Sequence, residues 1–146
     1  MNQSMTLGMY KQMGKEAFSK AVTEFAPYFA TIEPQFEELR PGYAEVRFAN
    51  RRAVHNHLGT VHAIALCNAA ELAAGTMTTV SIADGRQWIP VGMSVQYLAK
   101  AKTDMRVVAN GEQVDWAAAG DVEVPVEAFD AEGKHVFSAR ITMNLK

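Results

Sequence analysis

From Leu58 to Ala83 the chain carries no lysine or arginine and a single acid, Glu71. The segment is as long as a membrane span. It also holds His62, Asn68, Glu71, Gly75 and several threonines, which are costly in lipid. The reading is therefore a helix buried in protein. Small residues occupy nearly its whole circumference, and a helix apolar all round must be covered on most sides. Thr60 is the expected N-cap, with the helix running to about Thr78. Whatever else the chain forms has to wrap that helix.

Candidate wrapping material follows. Ile89, Val91, Met93, Val95 and Tyr97 alternate with Gly92, Ser94 and Gln96. The same alternation recurs at Met105, Val107 and Ala109, at Val122, Val124 and Val126, and from Phe137 to Leu145. These are strands with one buried face. Pro125 has no N–H for a ladder, so its strand is expected at an edge or at a bulge. Before the apolar helix, Ala44, Val46 and Phe48 alternate after the Arg40-Pro41-Gly42 turn, the second half of a hairpin. An amphipathic helix is expected over about 4–27, with Gly14 as its weak point and Pro27 at its end. The fold class is α+β, a curved antiparallel sheet around one long central helix with an added N-terminal helix. One sheet cannot cover such a helix completely, so a second subunit is expected.

There is no repeat, linker or break in composition, and residues 1–146 read as one domain. The balance of 14 basic against 16 acidic residues gives a net charge of −2, with no field for gripping a phosphate backbone. No nucleic-acid partner and no membrane are expected. Cys67 is the one cysteine, and Met1 to Gly14 hold no apolar run of signal-peptide length. Both fit a reducing, cytoplasmic setting.

The lone acid is the chemical clue. A carboxylate among Ala69, Ala70, Leu72, Ala73 and Ala74 carries a desolvation cost, which points to use. Upstream, Asn56-His57-Leu58-Gly59-Thr60-Val61-His62-Ala63 places an amide and a glycine before a helix N-terminus, where free N–H groups can polarise a carbonyl. Glu71 lies nine residues past His62, about 13 Å along the helix. One subunit cannot easily join the two features, whereas two with adjacent helices can.

Asn56-x-x-Gly59-x-x-His62, followed nine residues later by an acid, resembles hotdog-fold acyl-CoA thioesterases of the phenylacetyl-CoA and 4-hydroxybenzoyl-CoA types. Ser94 to Ala101 is similar to the strand and basic turn after the helix in that family. The resemblance covers a hotdog core of about 36–145. It implies hydrolysis of an acyl-CoA thioester in a homodimer or dimer of dimers, with no metal and no cofactor beyond the substrate's coenzyme A. By that resemblance Glu71 is nucleophile or general base, and the Ala63 N–H polarises the carbonyl. Asn56, from the opposite subunit, orients carbonyl or water. Gly59 permits the turn and His62 braces the loop.

The usual Gly-Gly after the histidine is Ala63-Ile64 here, and Ile64 is expected to narrow the substrate's room. Thr78, Thr79 and Ser94 are candidates for holding the lytic water. Arg51, Arg52, Lys100, Lys102 and Arg106 are candidate contacts for coenzyme A phosphates. Met9, Met13, Phe18 and Phe25 are candidates to cap an acyl pocket. The alternatives are a non-catalytic acyl-CoA binding module, or a hotdog hydratase or dehydratase. For the latter, Asn50 and His55 have the right separation but lack the acid. His55, His57 and His62 cluster without a Cys, Asp or Glu to complete a metal site, and Cys67 reads as packing.

Overall fold

The computed structural model describes all 146 residues. Two helices, α1 (Gln3–Met13) and α2 (Lys15–Phe25), precede a hairpin of β1 (Gln35–Arg40) and β2 (Tyr43–Phe48). The long helix α3 (Ala63–Ser81) follows, then β3 (Trp88–Tyr97), β4 (Met105–Asn110), β5 (Gly120–Phe129) and β6 (His135–Leu145). The strands form one antiparallel sheet in the order β1-β2-β4-β5-β6-β3. The antiparallel sheet around a central helix read from the residues, and the hotdog fold that the resemblance implies, are the architecture observed.

Alternation explains the layers. Val46 and Phe48 of β2, Met105 and Val107 of β4, Val124 and Val126 of β5, and Ile141 and Met143 of β6 are buried against α3. The helix answers with Leu66, Leu72, Met77 and Val80 at the contact and with Ala69, Ala70, Ala73 and Ala74 fully buried between them. Alanine keeps the helix stable and lets strands approach its axis closely. The segment that matched a membrane span in length thus has protein around it.

Three local expectations need correction. The single N-terminal helix over 4–27 is two helices. Gly14 adopts φ 82°, a left-handed conformation that only glycine takes freely, and the chain turns there between α1 and α2. A 3-10 turn over Pro27–Ile32 then follows. The cap of α3 is His62, not Thr60: its Nδ1 accepts from Ile64 N at 3.0 Å. The helix cannot start earlier because Val61 N donates to Ala101 O at 2.8 Å and His62 N to Val54 O at 2.7 Å, holding that stretch extended. Pro125 lies in β5, an interior strand without a bulge at that point. Pairing of β4 with β5 stops at Ala109 opposite Val126, so Pro125 occupies a stretch that is locally an edge on one side. Its missing N–H is harmless there.

The two sheet edges differ. Along β1, Phe36 N donates to Ser19 Oγ at 2.8 Å, and Ser19 Oγ donates to Lys15 O at 2.6 Å. Tyr10, Phe18 and Phe36 stack edge-to-face behind that bond, with ring centres 5.3 and 5.2 Å apart. Along β3, the backbone has no partner beyond β6, and Ile89, Val91, Met93 and Tyr97 are between 44% and 59% exposed. The apolar face expected to be buried is open to solvent in the protomer. Its neighbours in the sheet lie on one side only.

Candidate active site

The loop ahead of α3 is closed by Asn56. Its Oδ1 accepts from Leu58 N at 2.9 Å and Thr60 N at 3.1 Å, while its Nδ2 donates to Thr60 Oγ1 at 2.9 Å. Its backbone N–H donates to Thr60 O at 2.9 Å, and Gly59, at φ 77°, makes the return turn. Asn56 therefore holds its own loop, and Thr60 is consumed in that clamp. His62, accepting at Nδ1, is the tautomer with its proton on Nε2.

The clamp delivers one free donor. Ile64 N is taken by His62, and Ala65 and Leu66 donate to His62 O at 3.0 and 3.3 Å, but the Ala63 N–H has no partner. It sits at the first position of α3, where the helix dipole favours negative charge. Ala63, Asn56 and Thr60 line a cavity of about 330 Å³ with Leu66, Tyr97 and Lys100. Ile64 does not narrow that space. It faces a separate cavity with His55, His62 and Asn68, because adjacent helical residues point about 100° apart.

Glu71 is half-buried and makes no hydrogen bond or ion pair. It lines a different, partly open cavity of about 340 Å³, between α1, α2, the turn after α2, α3 and the start of β3. Within the protomer, the carboxylate and the free N–H therefore stand on separate hollows, about 12 Å apart along the helix. Trp88 forms one wall of the Glu71 cavity. Its Nε1 donates to Thr79 Oγ1 at 3.0 Å, and its ring lies over Gly75, where a Cβ would come within 2.8 Å.

Phe25 reaches this cavity, but Met9, Met13 and Phe18 are not among its walls: Phe18 is fully buried and Met13 faces solvent. The sequence reading missed Trp88, Val22 and Phe29. A glycine inside a helix often marks a close approach, and Gly75 was the available sign.

The remaining candidates sort by their partners. Thr78 is buried and donates to Ala74 O at 2.7 Å; Thr79 lies in the Glu71 cavity; Ser94 is exposed on β3. Arg51 donates to Thr31 O and lies 3.5 Å from Glu33, and Arg106 lies 3.1 Å from Glu45 with its guanidinium over Phe129. Both are occupied within the protomer, whereas Arg52, Lys100 and Lys102 are exposed without ion pairs.

His55 Nε2 donates to Asn50 Oδ1 at 2.6 Å, because Asn50 Nδ2 is committed to Lys102 O at 3.0 Å. The pair holds the loop together and contains no acid. No three His, Cys, Asp or Glu side chains converge. Burial pushes the Cys67 thiol up, partly offset by a hydrogen bond with Tyr97, which suits packing and not nucleophilic attack.

A curved antiparallel sheet on one central helix, with a free N–H at the helix start and a lone carboxylate farther along, defines a hotdog-fold protein. The chain belongs to the family described as Domain of unknown function (DUF4442), whose profile matches residues 14–145. The crystal structure designated genomics APC5556 is 60% identical, covers 99% of this chain and 97% of that one, and superposes with a TM-score of 0.90. The Pseudomonas aeruginosa protein PA5026, described as a probable thioesterase, is 24% identical over 85% of this chain and 89% of its own, with a TM-score of 0.75. The Haemophilus influenzae thioesterase HI1161 is 10% identical, covers 82% of each chain and gives a TM-score of 0.74. At these identities the last two share the fold. No curated protein matches the sequence.

Proposed function

We propose that the protein hydrolyses the thioester of an acyl-CoA at a site shared by two subunits. The observation that supports this most is Glu71: one half-buried, unpaired carboxylate in an apolar chamber, on a fold common to thioesterases. The open edge of β3 supports the second subunit. Antiparallel pairing there continues the sheet and covers Met93 and Tyr97. It also sets the two α3 helices side by side, which brings Glu71 of one protomer toward the Ala63 N–H of the other.

In this reading the Ala63 N–H, backed by the α3 dipole, donates to the carbonyl oxygen and stabilises the charge that develops there. Glu71 acts as general base or nucleophile. As a base it takes a proton from the attacking water and returns it to the departing coenzyme A thiolate. As a nucleophile it attacks the thioester carbon, and the C–S bond breaks to expel the coenzyme A thiolate. Water then cleaves the resulting mixed anhydride, releasing the acid and restoring the carboxylate. Asn56 is a positioning residue, acting through the loop it clamps. Lys100, beside the Ala63 cavity, with Arg52 and Lys102 nearby, is available to the coenzyme A phosphates. Water and the substrate suffice for this chemistry.

The test is thiol release across short, long and aromatic acyl-CoAs, comparing wild type with Glu71→Gln. Activity in the wild type and a loss of about a hundredfold or more in the variant are expected. Absence of activity throughout favours a binding module. Equal activity in both removes Glu71 from the mechanism.

A further inference from the structure

We propose that the two N-terminal helices complete a bounded acyl chamber against α3, and that Trp88 and Phe29 set the size of the acyl group admitted. This rests on the reading of Glu71 as the group that acts on the thioester. The chamber is the cavity that holds Glu71, and its other walls are mostly apolar. Its ionisable side chain is Glu71 alone, with no lysine, arginine or histidine among the lining residues, and Met1 completes the rim. An acyl group with a second carboxylate would meet the like charge of Glu71 and no cationic side chain. An uncharged alkyl or aryl group is the occupant that fits.

Both walls are held in place. On one side Trp88 is fixed by its bond to Thr79 and by its seat on Gly75. On the other, Val22, Ala26 and Phe29 come from α2 and the turn after it. Those helices are tied down at the start of α1 and at the middle of α2. Gln3 Nε2 donates to Val80 O at 2.9 Å, Ser4 donates to both Asp84 oxygens at 3.1 and 2.6 Å, and Ser19 accepts from Phe36 N at 2.8 Å. Phe25, 70% exposed, stands at the rim.

A chamber with pinned walls has a limit. At about 30 Å³ per water-sized heavy atom, the 340 Å³ available holds on the order of ten non-hydrogen atoms. That is a medium-length alkyl chain or a group with one aromatic ring.

The experiment titrates the protein with n-alkyl alcohols from butanol to dodecanol, following tryptophan fluorescence, with Trp88→Phe, which retains only Trp116, as the control for a Trp88-specific response. These probes are neutral and carry no thioester. Affinity is expected to rise by about fourfold per methylene, then to level off near ten carbons. Phe29→Ala should move that limit to longer chains and Ala26→Phe to shorter ones.

The same variants are then assayed on an acyl-CoA series. A limit that moves in binding without any hydrolysis keeps the chamber and removes the thioesterase reading. Glu71-dependent hydrolysis with a length profile unmoved by either variant overturns the chamber. So does the lack of a saturable Trp88-dependent response.

Discussion

The two edges of the sheet have been treated in opposite ways. At β1 the outer backbone is answered: Ser19 receives the Phe36 N–H, and an aromatic stack of Tyr10, Phe18 and Phe36 closes over the junction. At β3 only the first residues are blunted, by Pro90 and a shift of register before Gly92. From Gly92 to Tyr97 the outer edge offers unpaired N–H and C=O groups beside exposed apolar side chains. Natural proteins cover or blunt edges that must stay single. The contrast teaches that the N-terminal helices finish one edge of the protomer, while β3 stays open, which is where the proposed dimer places its second copy.

The strongest way to break this contrast is a charge on the open edge. Met93→Lys should yield a folded monomer by light scattering and lose nearly all activity, because the proposed site draws on both subunits. A dimer with normal activity would move the interface elsewhere. The next largest effect is expected from Ala63→Pro, which removes the free N–H. Proline is tolerated at the first position of a helix, and His62 at φ −65° and ψ 136° is already in the conformation that a following proline requires. The variant should fold, dimerise and lose about 10²–10³ in kcat.

The closed edge should respond in stability and not in assembly. Ser19→Ala strands the buried Phe36 N–H and should cost about 1–3 kcal/mol in chemical denaturation, with the dimer intact. The smallest expected effect concerns the α1 tether. Hydrogen bonds from Ser4 hold the Asp84 carboxyl below its ordinary value. The support it lends to α1 is therefore fully present above the ordinary carboxylate range and is lost as pH falls through the lowered value. Hydrogen exchange at α1 amides should show protection falling there in wild type, and an acid-independent, lower protection in Asp84→Asn.

Much of the fold was legible because its signals are periodic. Alternation in five strands and an uncharged, alanine-rich helix leave few ways to assemble one core. Boundaries were less so: Thr60 has the chemistry of a cap, but Asn56 had already consumed its hydroxyl, which no local pattern reveals. Gly14 was marked as a weak point, yet only its left-handed φ divides the helix in two. In the candidate site, Glu71 stood out as the one acid in an uncharged stretch, whereas Ala63 was singled out by the resemblance to hotdog thioesterases. The Trp88 wall comes from packing between residues distant in sequence, and no local pattern showed that Ile64 lines the His55 cavity and not the Ala63 one.

The central claim is that Glu71 and the Ala63 N–H of different protomers serve one site. The most direct measurement is the specific activity of a purified heterodimer pairing a Glu71→Gln subunit with an Ala63→Pro subunit. One of its two sites would then be wild type, and about half of the wild-type activity per dimer is predicted. Activity no higher than that of either mutant homodimer would contradict it, and would place both groups in the same protomer's site or outside the chemistry.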